Sequence, residues 1–288
     1  MNFLQQPLTL ACENEWLVAI VSRPEQPRPR GVLIVVGGPQ YRVGSHRQFA
    51  LLANHLAEQG IPVMRFDYRG MGDSSGDSRD FEQITHDLRA ASDTFFGTVK
   101  EIHDIVIWGL CDAASAALFY AHQDRRVSGV ALLNPWVRTA EGEAAAYLRH
   151  YYLQRFLSPA PWLKLLRGEF ELKRSATSFA VHLQRAISGS PERTAMSSLP
   201  HPAPPKSLPE RMADGLARFN GQVLLILSGN DLTASEFIDV SNESKRWRQL
   251  LAAPRVTRYM LLDATHTFPR REWRKQVAAW TAAWVRSW

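Results

Sequence analysis

Cys111 lies in the segment Trp108-Gly109-Leu110-Cys111-Asp112-Ala113-Ala114-Ser115, between a short apolar run and a run of helix formers. A small residue stands two positions before it, Gly109, and another two positions after it, Ala113. That spacing suits a tight strand–turn–helix. Such a turn forces its middle residue into a strained conformation and lifts the side chain above the sheet, while the backbones on either side pass too close for bulk. The helix that follows points its N-terminus at the sulfur and favours the thiolate. The expectation is a cysteine nucleophile; the competing description is a buried cysteine in an ordinary βα turn.

Two further residues have the chemistry to serve such a group. Gln222-Val-Leu-Leu-Ile-Leu-Ser-Gly229-Asn230-Asp231 is a buried-strand pattern ending on a glycine and an acid. His266 follows the strand pattern Val256–Leu262 within Asp263-Ala-Thr-His266-Thr-Phe268. Ligands of open α/β sheets bind along the carboxyl edge of the strands, where both residues should lie. Asp239 and Asp263 compete with Asp231 for the acid role, but neither follows a buried strand so directly.

The elements that must position these residues alternate along the chain. Gly31–Val36 is a β-branched strand running into Gly37-Gly38-Pro39, and His46–Gln59 has helical apolar spacing ended by Gly60. Ile61–Tyr68 is the next strand, followed by the glycine-rich Arg69–Gly76. The spacing predicts a helix over Phe81–Phe96, a strand at Ile105–Trp108, a helix at Ala113–His122 and a strand at Val127–Leu133. Short buried strands alternating with amphipathic helices predict a mostly parallel sheet flanked by helices, an α/β fold. Thr9–Val21 reads as edge strands or a hairpin. Residues 137–210 carry no buried-strand pattern and read as a helical cap insertion, with Ser188–Glu210, rich in Pro and Ser, as a long loop. Residues 1–136 and 211–288 then form the core, with helices near Arg211–Phe219, Asn242–Leu251 and Arg270–Trp288. The last carries Trp273, Val277, Trp280 and Trp284 at helical spacing, read as packing against the sheet.

Composition bounds the function. In 288 residues, 45% are hydrophobic and 22% charged, as in a globular chain with a full core, so collagen-like, coiled-coil and disordered classes are excluded. The net charge of +6 comes mostly from scattered arginines with no run of five or six, which argues against a nucleic-acid partner. No apolar run approaches the ~18 residues of a membrane span. The first ten residues lack the pattern of a secretory signal, so a cytoplasmic location is expected. Two cysteines, Cys12 and Cys111, make no disulfide framework. Nothing in the sequence calls for a metal or cofactor, and the oligomeric state is left open.

The segments Val35–Phe49 (VVGGPQYRVGSHRQF), Phe66–Ser74 (FDYRGMGDS) and Gly109–Asp112 (GLCD) resemble those of α/β-hydrolases of the serine-aminopeptidase-like class. More closely, the chain resembles the hydrolase 1 proteins associated with the exosortase A system of exopolysaccharide-producing bacteria. The likeness spans nearly the whole chain and is weakest in 137–210. It implies an α/β-hydrolase fold with a helical cap insertion, and the order nucleophile, acid, histidine fits it. Cys111 would attack an acyl carbonyl, His266 would take and return the proton, and Asp231 would orient the imidazole. The N–H of Asp112 and one from Gly38 or Gln40 would form the oxyanion hole. Asp112 is an odd neighbour for a thiolate, and reads as a carboxylate that satisfies helix N-terminal donors. A thiolate suits esters, thioesters and lactones, which makes an acyl substrate carried on coenzyme A or an acyl carrier the expected partner. Arg42 and Arg69, in loops at the catalytic edge, and Tyr147, Tyr151 and Trp162 in the insertion, are candidate substrate contacts. An acyltransferase with the same triad and a sugar or alcohol acceptor, or a non-catalytic ligand-binding protein, are the rival readings.

Overall fold

The computed structural model describes residues 2–38, 40–137 and 206–288. Residues 1–138 and 207–288 form one compact unit although a long interval separates them in sequence. Its frame is an eight-stranded sheet. In chain order the strands are β1 (Phe3–Cys12), β2 (Glu15–Pro24), β3 (Arg30–Val35), β4 (Val63–Phe66), β5 (Asp104–Leu110), β6 (Val127–Leu133), β7 (Gln222–Ser228) and β8 (Val256–Leu261). In space they lie in the order β1-β2-β4-β3-β5-β6-β7-β8. β1 and β2 form an antiparallel hairpin, β2 pairs antiparallel with β4, and every later pair is parallel. The apolar runs of β3, β5 and β7 are buried almost throughout, because helices cover both faces of a parallel sheet. Edge strand β8 instead alternates between half-buried and exposed residues.

The helices are α1 (Gln48–Glu58), α2 (Thr85–Thr98), α3 (Asp112–Tyr120), α4 (Leu208–Arg218), α5 (Leu232–Glu243), α6 (Lys245–Leu251) and α7 (Arg271–Val285). Right-handed crossovers decide their faces. The chain moves one way from β3 to β4 through α1 and the other way from β5 to β6 through α3, so α1 and α3 lie on opposite faces. α7 joins α1, and α4 packs on α3. At that last contact Gly215 of α4 lies so close to the Leu118 carbonyl that a Cβ would collide with it. The C-terminal aromatics pack as expected: Trp284 is buried, and Trp280 stacks on Tyr259 of β8 with ring centroids 4.4 Å apart.

Two local readings need correction. Helix α5 carries no clear apolar periodicity and the sequence placed a single helix near Asn242–Leu251. The structure has two helices meeting at Ser244, which ends α5 and accepts from the Trp247 N–H (3.3 Å) to start α6. The Pro- and Ser-rich stretch does not run to Glu210 as loop. Ser207 and Glu210 form a capping box, the Ser207 N–H donating to Glu210 Oε2 (2.8 Å), and α4 begins at Leu208. The rest of the loop and cap reading, over 138–205, lies outside the described residues.

The two candidate arginines are committed within this frame. Arg69 is buried with Asp87 of α2, their side chains 2% and 0% exposed. The Asp87 carboxylate accepts from Arg69 Nε (3.0 Å), Nη2 (2.8 Å) and the Arg69 backbone N–H (2.9 Å). Arg69 also pairs with Glu13 in the hairpin turn, and these partners raise its pKa, the Asp87 bonds most. Arg42 pairs with the buried Asp67 and, at 2.7 Å, with Asp73. Both candidate substrate contacts thus already pair with carboxylates of the chain itself, Arg69 with Asp87 and Glu13 and Arg42 with Asp67 and Asp73. Asp87→Ala should cost about 3–5 kcal/mol in urea unfolding, because it strands a buried guanidinium. A loss below about 1 kcal/mol would show that Glu13 alone satisfies Arg69.

Candidate active site

The parallel register brings the strand ends to one edge. Val35 aligns with Phe66 and Gly109, Leu110 with Leu133, Leu133 with Ile226, and Ser228 with Leu261. The segments leaving β3, β5, β6, β7 and β8 therefore carry Gly38, Cys111, Asn134, Asp231 and His266 to the same edge.

Cys111 sits at the turn from β5 into α3 with φ 63° and ψ −126°, a conformation that L residues rarely adopt. The turn is pinned by backbone bonds on both sides. The Cys111 N–H donates to Leu133 O (2.9 Å), and its carbonyl accepts from Ala114 (3.1 Å) and Trp136 (3.2 Å). A Cβ on Gly109 would lie 2.5 Å from the backbone of Ala113, so glycine is required there. Ala113 is fully buried with its own methyl group in place, which is why the turn forms without a second glycine.

Asp231 caps α5, its carboxylate accepting from the Ala234 N–H (3.1 Å). The same Oδ2 lies 2.9 Å from His266 Nδ1. A carboxylate there holds the proton on Nδ1, and Cys111 is near enough to act on the imidazole. Burial, the largest single influence, pushes the imidazole pKa down. The bonds and charges of Asp231 and Cys111 together outweigh it and raise the pKa to about 10.

A positioning residue that the sequence reading missed joins the three loops. Asn134, wholly buried with φ 42°, donates its amide to Ser228 Oγ (2.9 Å) and to the His266 carbonyl (3.2 Å). Its Oδ1 accepts from the Ser228 N–H (2.8 Å). Ser228 Oγ in turn donates to Thr265 O (3.2 Å). Asparagine tolerates the left-handed conformation, so an Asn directly after a buried strand, Leu133-Asn134-Pro135, was the available signal.

Of the two candidates for the second oxyanion donor, the Gln40 N–H is taken by Gly38 O (2.8 Å) and its side chain by Ser45. The Gly38 N–H faces the elbow. It does not point at open space: it donates to both oxygens of Asp112, at 2.8 and 2.9 Å. Burial, the largest influence, raises the Asp112 pKa against the lowering effect of the N–H groups it accepts from. Tyr147, Tyr151 and Trp162 lie outside the described residues. Among the described residues no group of three His, Cys, Asp or Glu side chains is placed to hold a metal, and no helix is long and apolar enough to cross a membrane.

The sequence model of the family described as serine aminopeptidase, S33, matches residues 27–201. No curated protein matches the sequence. Several solved structures share the fold. The esterase Pf2001 of Pyrococcus furiosus is 16% identical, with a TM-score of 0.66 over 99% of this chain and 92% of that one. A dienelactone hydrolase from Anabaena variabilis is 13% identical, with a TM-score of 0.60 over 99% and 97%. Est1E from Butyrivibrio proteoclasticus, solved with ferulic acid bound, is 13% identical, with a TM-score of 0.58 over 96% and 97%. At such identities the likeness establishes the α/β-hydrolase fold. The family match overturns one expectation, that the chain is a cysteine-nucleophile hydrolase: the matching family is one of serine hydrolases. Cys111 is the residue this chain has at the elbow.

Two outcomes follow from the geometry. Asn134→Ala leaves the Ser228 N–H unpaired in the interior, which should lower stability by about 1–3 kcal/mol in urea unfolding. The raised His266 pKa means that the folded state binds this proton more tightly. Its stabilisation is complete below the free imidazole value of 6.5 and is lost as pH rises through about 10. The Tm advantage of the wild type over His266→Ala should therefore be largest near pH ~6 and shrink towards pH ~10 in thermal unfolding. An advantage that grows with pH would contradict the ionic pairing.

Proposed function

Because the chain belongs to the serine aminopeptidase S33 family, we propose that it is a hydrolase of ester or thioester bonds, acting where Cys111, His266 and Asp231 meet. The observation that carries this reading is the 2.9 Å contact of His266 with Asp231 at the edge of the sheet where the strained turn of Cys111 also lies. Asp231 is itself anchored by the α5 N-terminus, so it holds the ring in one orientation and stabilises its cationic form. With its pKa raised to about 10, His266 can give its proton to the leaving group and then take one back from the water that attacks the acyl group. Solved structures that share this fold include an esterase, a dienelactone hydrolase and an enzyme solved with ferulic acid, which supports the same bond.

Several finer points belong to the same proposal. The GGPQY and GLCDA segments support a place among the exosortase A-associated hydrolase 1 proteins, and with it a link to exopolysaccharide production. The acyl group is proposed to arrive on coenzyme A or an acyl carrier. The proposed compartment is the cytoplasm, where free thiols such as Cys12 and Cys111 stay reduced.

The test is hydrolysis of p-nitrophenyl acetate and p-nitrophenyl butyrate beside alanine p-nitroanilide. The esters should be turned over and the anilide should not. His266→Ala should lower kcat by about two to four orders of magnitude. Cys111→Ser, which places the family's hydroxyl at the elbow, should retain ester hydrolysis. Faster turnover of the anilide would overturn the ester assignment, and full activity in His266→Ala would remove the site from this edge of the sheet.

A further inference from the structure

A hydrolase of acyl bonds needs free N–H groups where the carbonyl oxygen gathers negative charge, and it needs them before substrate arrives. In this chain that place is taken. Asp112 follows the elbow residue directly and turns its carboxylate back over the turn. The Gly38 N–H donates to both of its oxygens (2.8 and 2.9 Å), and the Ala113 N–H donates to Oδ1 (2.9 Å). Of the two donors that would form the oxyanion hole, at Gly38 and Asp112, the one at Gly38 thus already serves this carboxylate. The fit is close: a Cβ on Gly37 would collide with Asp112 Oδ1 and with the Leu110 carbonyl. Among the described residues Asp112 makes no ion pair, so backbone N–H groups alone hold it.

We propose that Asp112 is a specificity-determining residue whose carboxylate occupies the position of the substrate's carbonyl oxygen, so that substrate binds productively only by displacing it. The inference rests on the hydrolase reading above. A carboxylate holds N–H donors through charge-assisted bonds about twice as strong as those a neutral ester carbonyl can offer. A small ester brings little else to the exchange and competes poorly. A substrate with a large part remote from the carbonyl can use the contacts of that part to drive the displacement. The site therefore selects acyl groups on large carriers and turns small esters over slowly.

The experiment compares kcat/KM for p-nitrophenyl acetate in the wild type, Asp112→Asn, Asp112→Ala and the double variant Asp112→Ala/His266→Ala, with Tm measured for each. Asparagine keeps a neutral oxygen that can still accept from Gly38, whereas alanine empties the place. The expected order is alanine above asparagine above wild type, with a rise on the order of ten- to hundredfold for alanine that disappears in the double variant. If the alanine variant fails to fold, the asparagine variant must still exceed the wild type. Turnover that depends on His266 in the wild type but does not rise, or falls, on substitution of Asp112 overturns this proposal and leaves the hydrolase reading standing. No His266-dependent turnover in any of the proteins overturns both.

Discussion

The turn at Cys111 constrains everything around it. A residue at φ 63° and ψ −126° between a buried strand and a helix is held there only if its neighbours over-determine it. Three backbone hydrogen bonds do so, two of them to the segment Leu133–Trp136 that leaves the adjacent strand. Gly109 must lack a side chain because the first turn of α3 lies against it, and that contact aims the helix N-terminus at the elbow. The same segment carries Asn134, whose amide reaches the end of β7 and the loop of His266. The strained turn, the asparagine clamp and the histidine loop are thus one connected structure. A disturbance at any of them reaches the others through the backbone bonds of Cys111 and the buried Asn134 amide.

Two carboxylates at this edge have opposite surroundings. Asp231 faces an imidazole, and the attraction between them outweighs the burial that would otherwise keep the ring neutral. Asp112 faces backbone N–H groups and, among the described residues, no cation, and there burial wins and its pKa rises. The difference follows from what each helix offers. Asp231 Oδ2 both caps α5 and meets the ring, whereas Asp112 lies within the first turn of α3 and turns onto the loop after β3. One acid supports a base, and the other is held by backbone donors.

The arginines show how misleading residue type is without geometry. A loop arginine after a strand reads as a contact for an anionic substrate, and both Arg42 and Arg69 lie where such a contact belongs. In the structure Arg69 ties the loop after β4 to α2 and to the β1–β2 turn, while Arg42 ties the loop after β3 to Asp67 at the end of β4. The planar fork of Arg69 matches the Asp87 carboxylate bidentately, whereas Arg42 reaches Asp67 and Asp73 through Nη1. In both cases the carboxylates belong to the chain itself.

What the sequence by itself determined is what local periodicity and covalent neighbours can encode. The buried β-branched runs specified strands, their alternation with amphipathic helices specified a parallel sheet, and the small residues around Cys111 specified the tight turn. The position of Asp231 and His266 directly after strands placed them on the edge where they meet. Helix α5 was not legible, since its residues lack a clear apolar stripe and its start depends on a cap that also serves His266. Nor was the role of Asn134, Arg42 or Arg69, or the reach of Asp112 beyond its own helix to Gly38, because each depends on which group lies opposite across a gap between distant segments. A side chain's partner is a fact of packing: Asp112 sits beside Gly38 only because β3 and β5 are neighbours in register, and no spacing along the chain records that distance.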